Sequence, residues 1–277
     1  MKITYLGTGA AEGVPALFCN CEYCKGVRLR GGKEVRSRAQ VLLDGDLSID
    51  FPPDAFYHAA LLKADLSSVK YLIVTHTHID HFYPQDLILR GYKYAYGLGA
   101  ESLEIFGNEE MKEIFLEGTR RELRDCVKEH ITVHTGKAFS PVTLGEYRVH
   151  PLKAQHTSRD PFVYLIEKGE TRILHLTDTG RLPEETYEYL CTVNKKIDLI
   201  NFDCTFLFDE TQEGARHMGL DENKRTLKRL NAFGLTDEKT KKVLTHFSHN
   251  CRPSPDRLAL AEAEGFIAAY DGLTLEV

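Results

Sequence analysis

The segment His76-Thr77-His78-Ile79-Asp80-His81 constrains this chain more than any other. It follows VKYLIVT, Val69–Thr75, a nearly continuous apolar run of the kind a buried strand shows. Four side chains able to ligate a metal stand within these six residues, at a strand end. Packing has no use for that density of imidazole and carboxylate. Borderline cations such as Zn²⁺, Mn²⁺ or Fe²⁺ do. A sparser form of the pattern recurs: Leu176-Thr177 leads to Asp178, and Leu244-Thr245 leads to His246. Ligands at several strand ends converge on one sheet edge, where open α/β and sandwich folds bind what they bind.

The rest of the chain alternates strands with helices. KITYL (Lys2–Leu6) reads as a first strand, and AQVLLDGDLSID as a hairpin turning at Asp44-Gly45. SLEIFG, EYRVHPLKAQH, PFVYLIEKG, TRILHLTD, KIDLINFD and KKVLTHF read as further strands. NEEMKEIFLEGTRRELRDCVKE reads as one helix region with Asn108 as its N-cap. PEETYEYL reads as a helix with Pro183 at its first position, and PDRLALAEAEG as a last helix before a short end strand. The spacing predicts two packed mixed sheets with helices outside. With no linker, low-complexity tract or repeat, residues 1–277 read as one domain.

Composition narrows the function classes. Net charge is −6, which does not advertise nucleic-acid binding. The N-terminus lacks the apolar core of a signal peptide, and no apolar run approaches the roughly 18 residues of a membrane helix. Seven cysteines is an odd number. Together these features predict a reduced, cytoplasmic setting and metal use over disulfides.

H-x-H-x-D-H after a strand, followed in order by His156, Asp178 and His246, resembles the metallo-β-lactamase-fold hydrolases over nearly the whole chain. The resemblance implies an αββα sandwich and two divalent ions, manganese or zinc. His76, His78 and His156 would hold one ion, and Asp80, His81 and His246 the other. Asp178 would bridge them, with Asp80 and Asp178 counted among the catalytic residues. His134 and His150 alternate with apolar residues and read as strand positions, and His175 as a core side chain. Asp50 matches the family's early Asp, which braces the metal loop; a turn Asp before Pro52-Pro53 is the other reading.

Cys19, Cys21 and Cys24 lie within FCNCEYC, too close together for disulfides among themselves. Tetrahedral zinc needs four ligands. With His246 assigned to the active site, His249 in THFSHN is free to be the fourth, giving a closed structural zinc site. This pairing is similar to the PhnP-like phosphodiesterases; a relative in pyrroloquinoline-quinone biosynthesis carries a similar clip. Phosphodiesterase and tRNA-processing branches place a His in an E-x-x-x-H-like segment, which His217 in Glu213–Gly219 fits. It would donate a proton or hydrogen bond to a phosphate or leaving oxygen. Asp203 is a candidate support, and Arg216 and Arg159 candidate phosphate-attracting charges. The expected activity is hydrolysis of a small, possibly cyclic phosphodiester. The alternatives are a tRNA 3′-end endoribonuclease, or a thioester hydrolase or sulfur dioxygenase on the same fold. No membrane partner is expected, nucleic acid is disfavoured, and the family resemblance suggests a homodimer.

Overall fold

The computed structural model describes residues 1–277. One sheet holds β1 (Lys2–Gly7), β2 (Gln40–Leu43), β3 (Leu47–Ile49), β4 (Tyr71–Ile73), β5 (Leu103–Gly107), β6 (Ile131–Thr135) and β14 (Leu273–Glu276). Its order is β14-β1-β2-β3-β4-β5-β6. The second holds β7 (Val142–Leu144), β8 (Tyr147–Lys153), β9 (Phe162–Lys168), β10 (Thr171–Leu176), β11 (Leu199–Asp203), β12 (Lys241–Thr245) and β13 (Ile267–Ala268). Its order is β13-β12-β11-β10-β9-β8-β7. Both sheets are mixed: β3 to β6 and β10 to β13 pair in parallel, the remaining neighbours antiparallel.

Period-two alternation sends each strand's side chains to opposite faces. Ile3, Leu43, Ile49 and Ile73 meet Val149, Tyr164, Ile166 and Val243 between the sheets. Their neighbours Val163 and Leu165 face outward instead, under α5 (Glu184–Val193), α6 (Leu220–Ala232) and α7 (Pro255–Ala263). Leu42 and Leu72 likewise pack under α3 (Glu109–Thr119). Strands buried on both faces read as continuous apolar runs, which is why they are conspicuous in the sequence. The hairpin forms where expected: Asp44 and Gly45 both have positive φ, 48° and 85°, as a tight primed turn requires.

Three local expectations need correction. The region 108–129 is not one helix. Asn108 does cap α3, accepting from Met111 N at 2.8 Å, but α3 stops at Thr119 and a short α4 (Asp125–Lys128) follows. The buried stripe Met111, Phe115, Thr119 is followed one turn later by Leu123, which is only partly buried, and Val127 in α4 is the next fully buried apolar residue. Pro183 precedes the first turn of α5 instead of opening it, its ψ of 149° being extended. Finally the sequence reading passes over α1 (Glu22–Arg30), α2 (Ala55–Leu61) and α6.

β3, β4, β8, β10, β11 and β12 all end on the same edge of the sandwich. Asp50, His76, His156, Asp178, Asp203 and His246 stand at or just beyond those ends. No helix is long and apolar enough to cross a membrane.

Candidate metal centre

Three sets of side chains meet at this edge, the third overlapping the second by joining Asp203 and His217 to Asp178 and His246. In the first, His78 Nδ1 lies 3.0 Å from His76 Nε2 and 3.1 Å from His156 Nε2. The far nitrogens of two rings are committed elsewhere. His76 Nδ1–H donates to Thr75 Oγ1 at 3.1 Å, and His156 Nδ1–H to the Arg216 carbonyl at 3.2 Å. Their lone pairs therefore point at one another, which is repulsive unless a cation sits between them. Burial pushes His76 well below the ordinary imidazole value and His156 below it too, which keeps both neutral, the form that ligates.

The second set is Asp80, His81, Asp178 and His246, whose candidate ligand atoms lie within 4.8 Å of one another, all buried. His81 Nε2 and His246 Nε2 each stand 3.1 Å from an Asp178 oxygen. Yet His81 Nε2, His246 Nε2 and Asp178 Oδ1 have no hydrogen-bond partner of sound geometry. Orphaned buried atoms facing a common centre suit a shared cation. Burial raises the Asp80 and Asp178 carboxyls, but the imidazoles of His81 and His246 outweigh it and hold both well below the usual range. Burial pulls His81 down, while Asp178, Asp80 and Asp50 together push it well up. Three carboxylates around one imidazole leave surplus negative charge, which a divalent ion would offset.

Buried hydrogen bonds orient these rings. His81 Nδ1–H donates to Asp50 Oδ2 at 2.7 Å, while Thr75 donates through N and Oγ1 to the same carboxylate, at 2.8 and 2.9 Å to Oδ1. Of the two sequence readings of Asp50, this places it as a brace. Thr205 Oγ1–H donates to Asp203 Oδ1 at 2.9 Å and so accepts from His246 Nδ1–H at 2.9 Å. Asp50 and His246 both adopt left-handed backbone, φ 65° and 61°, a strained state that concentrates at functional sites.

His217 stacks on His246, with centroids 5.3 Å apart and planes 14° from parallel. Its Nδ1–H donates to Asp203 Oδ2 at 2.8 Å, leaving Nε2 free. Burial would lower its pKa, but Asp203 and Asp178 raise it to about 9. Asp203 is fully buried; Thr205 N and Met218 N donate to its Oδ1, and Asn223 Nδ2 to its backbone carbonyl at 2.8 Å. Gly180 lets the loop after Asp178 lie against the His217 loop, since a Cβ there would sit 1.9 Å from the Ala215 carbonyl oxygen. Arg181 clamps the same loop to α6 through a two-pronged ion pair with Glu222, 2.8 and 3.0 Å.

Other candidates fall outside. His134 pairs with Glu104, His150 with Glu167 and Tyr189, and His175 accepts from Asn201. Arg159 is an exposed charge paired with Glu113 at 2.8 Å. Arg216 leans back on the His156 carbonyl at 3.5 Å. Thr205 and Asn223 are the residues the sequence reading missed. Asp203-Cys204-Thr205 at a strand end does carry a signal, because Asp commonly turns the chain by accepting from two residues on.

The cysteine loop closes against the same edge. The Sγ atoms of Cys19, Cys21 and Cys24 and a ring nitrogen of His249 lie within 4.8 Å of one another, with Cys24 Sγ 3.4 Å from His249 Nδ1. The Cys24 N–H and the Cys19 thiol lower the Cys21 thiol to about 6, toward the ligating thiolate, while burial raises Cys24 to about 11. Ala10 N donates to the Phe247 carbonyl at 3.0 Å, and Phe247 N to that of Thr8 at 2.9 Å. The loop bearing His246 and His249 is thus stitched to the N-terminal loop.

The family model described as "Beta-lactamase superfamily domain" matches residues 41–247. The chain belongs to the β-lactamase superfamily. Among solved superfamily-fold structures, Zn²⁺-bound PqqB from Methylobacterium extorquens matches with TM-score 0.74 and 18% identity, covering 100% of both chains. A diphosphatase from the PhnP family matches with TM-score 0.69 and 21% identity, over 100% of this chain and 97% of that one. The short form of human tRNase Z matches with TM-score 0.70 and 17% identity, over 100% and 99%. At these identities the shared feature is the metallo-β-lactamase fold. An octanoyltransferase from Porphyromonas gingivalis is 31% identical over 83 residues, 29% of this chain. The match spans only 16% of that relative's length.

Proposed function

We propose that this protein is a metal-dependent hydrolase of a small phosphodiester, with a cyclic ribosyl phosphate as a fitting substrate. One observation carries the proposal: an acid-capable imidazole, His217, is stacked on His246 and held by the buried Asp203. His76, His78 and His156 would hold one ion, and Asp80, His81 and His246 the other, with Asp178 shared. Manganese or zinc suits these donors, and the Cys19, Cys21, Cys24 and His249 clip suits one structural zinc. When bound, the two active-site ions supply Lewis acidity and lower the pKa of water toward about 7.

Asp178, a member of the second set whose Oδ2 also lies 4.0 Å from His76 Nε2 and from His156 Nε2, orients the attacking water. The water gives up a proton to solvent, and the resulting hydroxide oxygen forms a bond to phosphorus as the opposite P–O bond breaks. His217 Nε2–H stands ready to give its proton to the departing oxygen. Asp203 stabilises the imidazolium beforehand and holds the ring through Nδ1. The structural likeness to a PhnP-family diphosphatase supports phosphoryl chemistry. Seven unpaired cysteines suit a reducing, cytoplasmic setting.

The octanoyltransferase match favours a second reading, cleavage of an acyl thioester at the same centre. Assay of the zinc- and manganese-loaded protein on bis(p-nitrophenyl) phosphate, a ribosyl cyclic phosphate, an octanoyl thioester and precursor tRNA separates these. Phosphodiester turnover should dominate and fall at least about 100-fold in Asp178→Ala, with circular dichroism unchanged. Faster thioester or tRNA cleavage, or an active Asp178→Ala, would overturn the proposal.

A further inference from the structure

We propose that a cavity behind the metal loop binds an aliphatic chain, in the hexyl to octyl range, whose head group donates a hydrogen bond. The cavity lies on the outer face of β2 to β5 and measures about 230 Å³. Leu66, Val69, Leu72, Leu87, Leu98 and Leu103 form most of its wall. An apolar cavity of about 150 Å³ is already enough to stay dry and take up benzene. None of the metal-centre residues lines it, so it is a separate site.

Two charged residues on the wall define the head group. Arg90 is committed: its Nη2 donates to the Ala100 carbonyl at 2.5 Å and the Val69 carbonyl at 3.3 Å, and its Nη1 to that of Glu101 at 3.1 Å. Most of its donors are thus spent on backbone carbonyls. Asp86 is half-buried on the same wall, makes no hydrogen bond or ion pair of its own, and is pushed up by burial. A half-buried carboxyl on an apolar wall offers an acceptor to a seated molecule, so an alcohol, amide or amine fits and a fatty acid carboxylate is repelled.

The cover is the segment after the 3₁₀ turn Pro84–Leu89. Ala95 and Leu98 line the cavity, while Tyr92, Tyr94 and Tyr96 stand out on the surface. Gly91 and Gly97, at φ 128° and 66°, bend the chain on either side of Ala95. Ala100 N, donating to the Ser67 carbonyl at 3.0 Å, ties the far end down. The floor is the back of the metal-loop brace. Ser48 Oγ–H donates to the Asp50 carbonyl at 2.9 Å, and Phe51 N to the His81 carbonyl at 2.8 Å. A chain seated here therefore packs directly behind the Asp50–His81 pair.

Isothermal titration of the full metal-loaded chain with 1-octanol, and with octanoate as the contrasting probe, tests this. Saturable octanol binding is expected, with octanoate at least tenfold weaker. Ala95→Trp should fill the cavity and weaken octanol at least tenfold, and Asp86→Leu should erase the preference for octanol over octanoate. Amide hydrogen exchange of the unmodified protein should slow across residues 87–103 on adding octanol, a readout that needs no variant to fold. Absence of saturable binding, unchanged affinity in a folded Ala95→Trp, or protection confined to other segments would each overturn the site.

Discussion

At the scale of single residues, the chemistry depends on which nitrogen each imidazole spends on the protein. His81 and His246 spend Nδ1 on Asp50 and Thr205 and so present Nε2 inward. His78 presents Nδ1 instead, because its Nε2 faces Thr157 Oγ1 at 3.4 Å. His217 is the exception in kind: its inner nitrogen belongs to Asp203, and it carries a proton outward. His217→Ala should lower kcat by about 10²–10⁴-fold for phosphodiesters with alkoxide leaving groups. The loss should be much smaller for p-nitrophenolate, which leaves without a proton. Equal losses across a leaving-group series would refute the acid role.

At the scale of elements, the loops hold their geometry through caps and clips more than through length. Asn108 works twice. Its Oδ1 caps α3, while its Nδ2 donates to the Arg159 and Asp160 carbonyls at 2.7 and 2.9 Å, fixing the loop that follows His156. Asn108→Ala should cost about 1–2 kcal/mol in urea unfolding, the range of a lost N-cap. It should also weaken metal affinity, because His156 loses its fixed loop; full retention of both would show the cap to be incidental. The cysteine clip binds the first loop to the last ligand-bearing one. Cys21→Ser should release one zinc per chain by elemental analysis and lower the melting temperature, since a structural ion contributes directly to folding. Unchanged zinc content would remove the clip.

At the scale of the whole molecule, the two ends of the chain close the first sheet, and Asp271 locks that closure. Its carboxylate accepts from Thr8 Oγ1 at 2.7 Å and from Ser37 N and Oγ at 2.6 Å. Burial raises it to about 6, against the pull of Ser37, Thr8 and Arg36. A folded value above the unfolded one means that the protonated acid stabilises the fold. That contribution is complete below the unfolded value of about 3.9 and is lost as pH rises through about 6. Asp271→Asn keeps a neutral side chain at every pH. Its stability relative to the unmodified protein should climb between pH 4 and 6, by no more than about 3 kcal/mol, in denaturant titrations of the metal-free chains. Parallel pH profiles would count against it.

Much of this protein was written locally. The strands that end in His76, Asp178 and His246 stand out because burial on both faces makes them continuously apolar, and their ligands follow within two or three residues. The hairpin at Asp44-Gly45 is equally local. The helices that escaped notice have a common cause. α6 buries Glu222, Asn223 and Thr226 alongside Leu220 and Leu230, so although its few leucines keep a helical spacing, its inward stripe is largely polar and low in apolar content. That polar stripe reaches the candidate site, since Asn223 holds the Asp203 carbonyl and Glu222 the Arg181 loop. Residue types and strand-end spacing, read together with the family resemblance, were therefore enough to name the candidate ligands. Only the packed structure decided that His156 meets His78 from 78 positions away, that Thr205 orients His246, and that a cavity lies behind Asp50. Those facts depend on where separate strands end in space, and a one-dimensional pattern carries no distance between residues that are not neighbours along the chain.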